Sequence, residues 1–225
     1  RPAGGWLRRT RMEERHSRTH WELVWSKKDE TSTILFQAVP EVSLDHVERA
    51  GVRTADAVID VGGGASRLVD HLLDRGFADI TVLDISAAGL RQAQRRLGDR
   101  AGGVHWIEAD VTVFRPERAY RLWHDRAVFH FLLDPAERAR YLAVMDAALA
   151  PDGQAVVATF GPDGPRKCSG LDTVRYSAVE LAAEFGPGWR LVDERAEAHR
   201  TPAGHEQLFG YYRFSRASVR DSETR

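Results

Sequence analysis

Three carboxylates and a run of glycines recur at intervals that suit one ligand. The apolar run Ala57-Val58-Ile59-Asp60-Val61 carries a single acid and stops at Gly62-Gly63-Gly64. An amphipathic segment, Arg67 to Leu73, follows at once, so the pattern predicts a buried strand, a tight turn and a helix start. Glycines there let backbone N–H groups approach a ligand with no Cβ in the way, and the helix N-terminus adds partial positive charge at the same place. A second apolar run, Asp79-Ile80-Thr81-Val82-Leu83-Asp84, ends in an acid 22 residues after Gly62. A carboxylate at that strand end can accept hydrogen bonds from both hydroxyls of a ribose lying on the glycine turn. A third run, Val104-His105-Trp106-Ile107-Glu108, is followed by Asp110 and Val111. Together these features predict a site for a nucleotide-like cofactor. A glycine turn that binds nothing is the plainer alternative, and an ordered trio of acids weighs against it.

The dinucleotide fingerprint G-x-G-x-x-G/A fits only in part. Gly62 and Gly64 supply its first two glycines, but Arg67 stands at the last position, where a bulky charge opposes close helix–strand contact. Asp60-x-Gly62-x-Gly64 with Ser66, followed by Asp84 and Asp110, instead resembles the glycine loop and acids of class I S-adenosyl-L-methionine (SAM) methyltransferases. Ala148-Leu149-Ala150-Pro151-Asp152-Gly153 is similar to that family's turn before its fifth strand, with Ala150 and Asp152 departing from the usual residues. Within the family the chain is most similar to small bacterial members without an assigned acceptor, through His124 to Leu132 and Gly164 to Leu171. A further likeness, in Trp21 and Ser32 to Gln37, runs to lysine methyltransferases of the seven-strand class. The resemblance implies SAM as cofactor, with Asp60, Gly62, Gly63 and Gly64 at its glycine loop. It also implies ribose contacts from Asp84 with Ile85, and adenine contacts from Asp110 and the backbone of Val111. His124 is expected to serve through its backbone, and Trp21 to lie on a lid over 19–41 with Phe36 and Gln37 near the ligand.

The positioning elements alternate. Strands are expected near 56–61, 79–84, 103–108, 120–125 and 153–160, with helices at 42–51, 66–75, 86–98 and 135–150 between them. Such alternation predicts a parallel sheet. A helix at 177–185 then leads to Trp189–Glu197, a Pro202-Ala203-Gly204 turn and Gln207–Phe214, an antiparallel hairpin at the sheet edge. The expected fold is α/β: a doubly wound, mostly parallel seven-stranded sheet with a C-terminal antiparallel hairpin. Residues 19–216 are expected to form the methyltransferase domain, 1–18 a flexible extension and 217–225 a tail, with Met12 the natural start.

Composition narrows the function further. At 225 residues and 43% apolar content the chain suits one domain with a full core. Net charge is −1 and the basic residues form no long run interleaved with aromatics, so no nucleic-acid surface is expected. No apolar run approaches the roughly 18 residues of a membrane span. A single cysteine, Cys168, excludes an internal disulfide and fits a reducing, cytoplasmic compartment. It lacks partners for a metal, so none is expected. Candidate general bases are Asp125 and His130, with Asp125 alternatively pairing Arg126 or capping a helix, and His130 alternatively a core-edge residue beside Phe129 and Phe131. No [D/N]-P-P-[Y/F] sequence follows the fourth strand, which argues against a nucleic-acid base as acceptor. The acceptor is expected to be a small molecule, held between the lid, the 126–131 turn and the 161–170 loop. A protein lysine is the alternative, and a SAM-binding regulator without turnover a further one. An NAD-dependent oxidoreductase is disfavoured by Arg67 and by the lack of a Tyr-x-x-x-Lys pattern.

Overall fold

The computed structural model describes residues 18–217. The extension expected over 1–18 and the tail expected over 217–225 lie outside the described residues apart from their inner ends, as does Met12. Helix α1 covers residues 18–27. The other helices are α2 (Glu41–Arg49), α3 (Leu68–Asp74), α4 (Ala87–Leu97), α5 (Pro135–Ala148) and α6 (Ala178–Phe185).

Seven strands form one sheet in the order β3-β2-β1-β4-β5-β9-β8. These are β1 (Val58–Val61), β2 (Ile80–Asp84), β3 (Val104–Glu108), β4 (Tyr120–Arg126), β5 (Leu149–Phe160), β8 (Trp189–Arg200) and β9 (Glu206–Arg216). The first five run parallel; β9 pairs antiparallel with β5 and β8 with β9. A short hairpin, β6 (Lys167–Cys168) and β7 (Leu171–Asp172), interrupts the chain after β5. The fold class expected from the sequence is therefore the observed one. Strand order reverses between β1 and β4, which is where open sheets of this kind bind ligands.

Both faces of the sheet are covered, which is why β1 and β2 are buried at every residue and read as near-continuous apolar runs. One face carries Val58, Ile80 and Leu122 against Leu44 and Val47 of α2, Leu68 and Leu72 of α3, and Leu90 of α4. The other carries Ile59, Val61, Trp123 and Val157 against Tyr141 and Met145 of α5 and Leu181 and Phe185 of α6.

One boundary differs from expectation. The helix expected to 150 stops at Ala148, and the strand expected from 153 begins at Leu149. Pairing shifts from Tyr120↔Leu149 to Leu122↔Gln154, so Pro151, Asp152 and Gly153 form an irregularity within the strand. Gly153 is required there, since a Cβ would lie 2.9 Å from Ala150 O and 3.0 Å from Tyr120 O.

Tyr141 ties α5 to the sheet. Its hydroxyl donates to Asp125 Oδ2 at 2.6 Å and accepts from Trp123 Nε1 at 2.8 Å, with all three side chains buried. Tyr141→Phe should leave both partners short of one bond in the core. The expected cost is about 2–4 kcal/mol, read from urea unfolding.

Candidate active site

A cavity of about 540 Å³ opens at the carboxyl ends of β1, β2 and β4, at the reversal of strand order. Its inner wall holds Val61, Gly62, Leu83, Asp84 and Ile85, then Ala109 to Thr112 after β3. Trp21 and Trp25 of α1 face these residues, and Arg126 to Val128 close the floor. The remaining wall runs from Phe131 to Asp134 and includes Glu137, Leu171 and Asp172.

The glycine turn is shaped by contacts as much as by freedom of approach. Gly62 and Gly64 take φ of +67° and +40°, values that disfavour side chains. A Cβ on Gly62 would lie 2.0 Å from Val128 Cγ2, and one on Gly64 2.9 Å from Asp84 Oδ2. Gly62 N–H donates to Leu83 O at 2.7 Å, drawing the turn onto the end of β2. Arg67 begins α3 with its guanidinium turned away from the sheet. It pairs with Glu30 at 2.7 Å and lies 5.3 Å from the Phe36 ring centroid, which removes the steric conflict its size suggested.

Asp84 is the most perturbed acid in the cavity wall. Burial pushes its carboxyl up to about 7, the charges of Asp60 and Glu22 add to this, and hydrogen bonds from the Ser86 and Gly64 N–H groups oppose it. The Ser86 N–H donates to Oδ1 at 2.7 Å. Asp110 accepts from the Thr112 N–H and hydroxyl through the same oxygen, Oδ1, at 2.8 Å each. Two acceptor carboxylates with Leu83, Ile85, Ala109 and Val111 around them suit a ligand that has hydroxyl and amino donors on a flat apolar body.

Residues 58–153 match a family model described as a methyltransferase domain. The seven-stranded architecture is the one found in solved class I SAM-dependent methyltransferases. The fold is shared with the 1,6-didemethyltoxoflavin-N1-methyltransferase of Burkholderia thailandensis, at 20% identity and a TM-score of 0.66, over 95% of this chain and 89% of that one. A SAM-dependent methyltransferase from Anabaena variabilis is similar at 14% identity and a TM-score of 0.70, over 89% and 95% of the two chains. Among curated proteins, the eEF1A lysine and N-terminal methyltransferase of Mus musculus is 25% identical over 139 residues. That stretch is 61% of this chain and 20% of the mouse protein, so the chain spans about a fifth of that relative's length.

Of the residues expected to hold the cofactor, Trp21, Gly62, Asp84, Ile85, Asp110 and Val111 line the cavity. Gly63 and Gly64 lie behind that wall: a Cβ on Gly63 would meet Asp60 Oδ2 at 2.7 Å, and one on Gly64 would meet the Trp25 ring at 3.4 Å. Asp60 and His124 are buried side by side beneath the turn, joined by a 2.7 Å hydrogen bond, and reach the cavity with no side-chain atom.

The two expected bases do other work. Asp125 is fully buried and caps the turn after β4, accepting from Val128 N–H at 2.8 Å and Phe129 N–H at 3.0 Å. Burial pushes its carboxyl up to about 6 against the Tyr141 hydrogen bond. His130 is fully buried against Phe131, Phe160 and Phe209, and its Nδ1 accepts from Phe160 N–H at 3.3 Å. Burial, with the Arg126 charge, drives its ring down to about 3. Neither side chain lines the cavity, so neither is placed to take a proton from an acceptor.

The expected neighbours of the ligand also shift. Phe36 lies under Arg67, and Gln37 donates to Glu197 at 2.6 Å; both are outside the cavity. Leu35 takes the place in the wall instead. The cavity wall is completed by Leu171 and Asp172 rather than by 161–170, and Cys168 is fully buried with its thiol pushed up to about 12 by burial. Sequence reasoning counted Trp25 among the aromatics of the possible lid but not among the ligand's neighbours, and it missed Glu22. Glu22 accepts from the Ser86 hydroxyl at 2.7 Å and Ala88 N–H at 3.1 Å, which docks α1 on the start of α4. The i, i+4 spacing of Trp21 and Trp25 was the available signal. Nothing in the sequence marked Ala127, whose φ of +73° turns the chain sharply at the cavity floor.

Asp84 links pH to stability with a defined sign. Its folded carboxyl titrates near 7 against 3.8 for the free group, so the native state holds a proton more tightly than the unfolded one. The stabilisation is fully present below pH 3.8 and is lost as pH rises through about 7. Asp84→Asn removes this dependence. The stability of the parent protein relative to the variant should fall, on the order of 2–4 kcal/mol, between about pH 4 and pH 8 in urea unfolding.

Proposed function

We propose that residues 19–216 act as a methyltransferase domain that moves a methyl group from SAM to an oxygen, nitrogen or sulfur of a small-molecule acceptor, with residues 19–41 serving as a lid. The single observation that carries this reading is the pairing of Asp84 with the glycine turn in one cavity wall. A buried carboxylate whose titration is pushed up to about 7, facing a cavity beside a glycine turn, marks a binding site. Asp84 takes the ribose hydroxyls, and Asp110 with the Val111 N–H takes the adenine edge. The Gly62 backbone, beneath Val128, borders the methionine portion.

SAM, when bound, supplies a methyl group on a sulfonium, an electrophile that needs no further activation. The protein's part is then to align the acceptor and keep water out, which in well-oriented systems is worth up to roughly 7–11 kcal/mol. Trp21 and Phe131 meet edge to face at 5.2 Å across the site and form an apolar gate. With Asp125 and His130 outside the cavity, the carboxylates that line it besides Asp84 and Asp110 are Asp134, Glu137 and Asp172.

A second reading, methylation of a protein lysine, draws support from the likeness to the mouse eEF1A methyltransferase and from those same acids. Acidic walls favour an amine over a carboxylate or phenolate acceptor. Transfer of labelled methyl to simple amines, phenols, thiols and a lysine peptide separates these readings. Amines and the peptide should be methylated ahead of phenols. An absence of turnover with every class, at intact SAM affinity, would favour a SAM-binding regulator.

Cofactor choice is tested directly by calorimetry with SAM and NAD side by side. SAM should bind and NAD should not. Asp84→Ala should weaken SAM by roughly tenfold to a few hundredfold, because a hydrogen bond to a charged group is worth about 1.5–3 kcal/mol. Wild-type affinity in that variant would remove the site assignment.

A further inference from the structure

Below the glycine turn lies a hydrogen-bonded chain that the cavity does not reach. Asp60 and His124 are direct neighbours across the β1–β4 ladder. His124 Nδ1 is 2.7 Å from Asp60 Oδ1, and its Nε2 is 2.9 Å from Ser43 Oγ on α2. All three side chains are at most 2% exposed. The order Ser–His–Asp is that of hydrolytic triads, but here no cavity opens onto the serine, so no substrate carbonyl can reach it.

The polar atoms set the direction of the chain. A carboxylate only accepts, so Nδ1 carries the proton and donates to Asp60. In the neutral ring Nε2 then accepts the Ser43 hydroxyl proton. The other carboxylate oxygen, Asp60 Oδ2, is buried with no hydrogen-bond partner. It presses upward against Gly63, where a Cβ would lie only 2.7 Å from it. The turn therefore rests on a carboxylate whose rotation is fixed from behind by an imidazole, and the imidazole is fixed in turn by a helix hydroxyl. Val82 Cγ1 also stands 2.7 Å from the same Cβ position, so only glycine fits between the carboxylate and β2.

We propose that His124, held by Ser43, is a positioning residue that sets the glycine turn for the cofactor through Asp60. The proposal rests on the reading of this turn as the SAM site. It moves His124 from a backbone contact to a side-chain role acting at one remove.

The test uses SAM affinity by calorimetry together with melting temperature. His124→Asn keeps an amide N–H where Nδ1 stands and can still donate to Asp60; His124→Leu keeps volume and removes the donor. His124→Leu should weaken SAM about tenfold or more, and His124→Asn should stay within about threefold of the parent protein. A purely structural role predicts that both lower the melting temperature while affinity does not follow the donor. Parent-like affinity in folded His124→Leu, or equal weakening in both variants, overturns the proposal. Should His124→Leu fail to fold, Ser43→Ala decides: weaker binding at an unchanged melting temperature supports the chain, and unchanged binding overturns it. Asp84→Ala serves as the control. If it binds SAM normally the site reading fails; if it weakens SAM while the His124 variants do not, only the positioning chain fails.

Discussion

Three carboxylates buried at the ends of adjacent strands are the constraint around which this molecule is arranged. Asp60 on β1, Asp84 on β2 and Asp125 on β4 are each at most 6% exposed. Taking a carboxylate out of water is costly unless donors replace the water. Each acid is accordingly met by a donor from a different part of the chain. His124 turns to Asp60, the Ser86 and Gly64 N–H groups to Asp84, and the Val128 and Phe129 N–H groups with the Tyr141 hydroxyl to Asp125. These bonds draw the three loops after the strands into fixed positions. The rim of the sheet is thereby built from its acids outward.

The covering layer obeys the same logic. Helix α1 presents Trp21 and Trp25 to the cavity, but its place is set by a charge: Glu22 accepts from Ser86 and Ala88 and pairs with Arg91. Behind it, Glu30 joins Arg67 and Arg96, and Arg96 continues to Asp70 on α3. Gln92 donates to the carbonyls of Trp25 and Lys28, closing the end of α1 onto α4. The aromatic wall thus sits on a polar frame shared by α1, α3 and α4. That frame holds the two tryptophans over the ends of β1 and β2, where they line the cavity.

Much of this was legible in the residues. Apolar runs carrying one acid named β1 and β2 and placed Asp60 within the first and Asp84 at the end of the second, because strands buried on both faces leave no polar alternation to confuse the reading. The strand–glycine–helix junction at Gly62 was equally plain. Reading failed at Asp125 and His130. Both types are common bases, and their placement at and just after the end of β4 is right for chemistry. What the residues could not disclose is that Tyr141, sixteen positions on, takes one Asp125 oxygen, or that Phe160 and Phe209 enclose the imidazole. The far wall of the cavity was blurred for a related reason. Leu171 and Asp172 reach the cavity only because β6 and β7 fold back as a two-stranded hairpin, a pairing of two residues on each side that no periodicity reveals.

The sequence by itself therefore determined the architecture and which acids and glycines stand at the carboxyl ends of β1 and β2. Those depend on local periodicity, on glycines with a backbone reason and on acids at strand ends, all of which are properties of short stretches. Tertiary structure alone decided which titratable groups face ligand and which face the core. It turned Arg67 outward to Glu30, joined Ser43 to Asp60 through His124, and withdrew His130 and Cys168 from the cavity. The physical reason is that a side chain's charge, tautomer and access to solvent are fixed by neighbours distant in sequence, and those neighbours are brought together only when the sheet and its helices close.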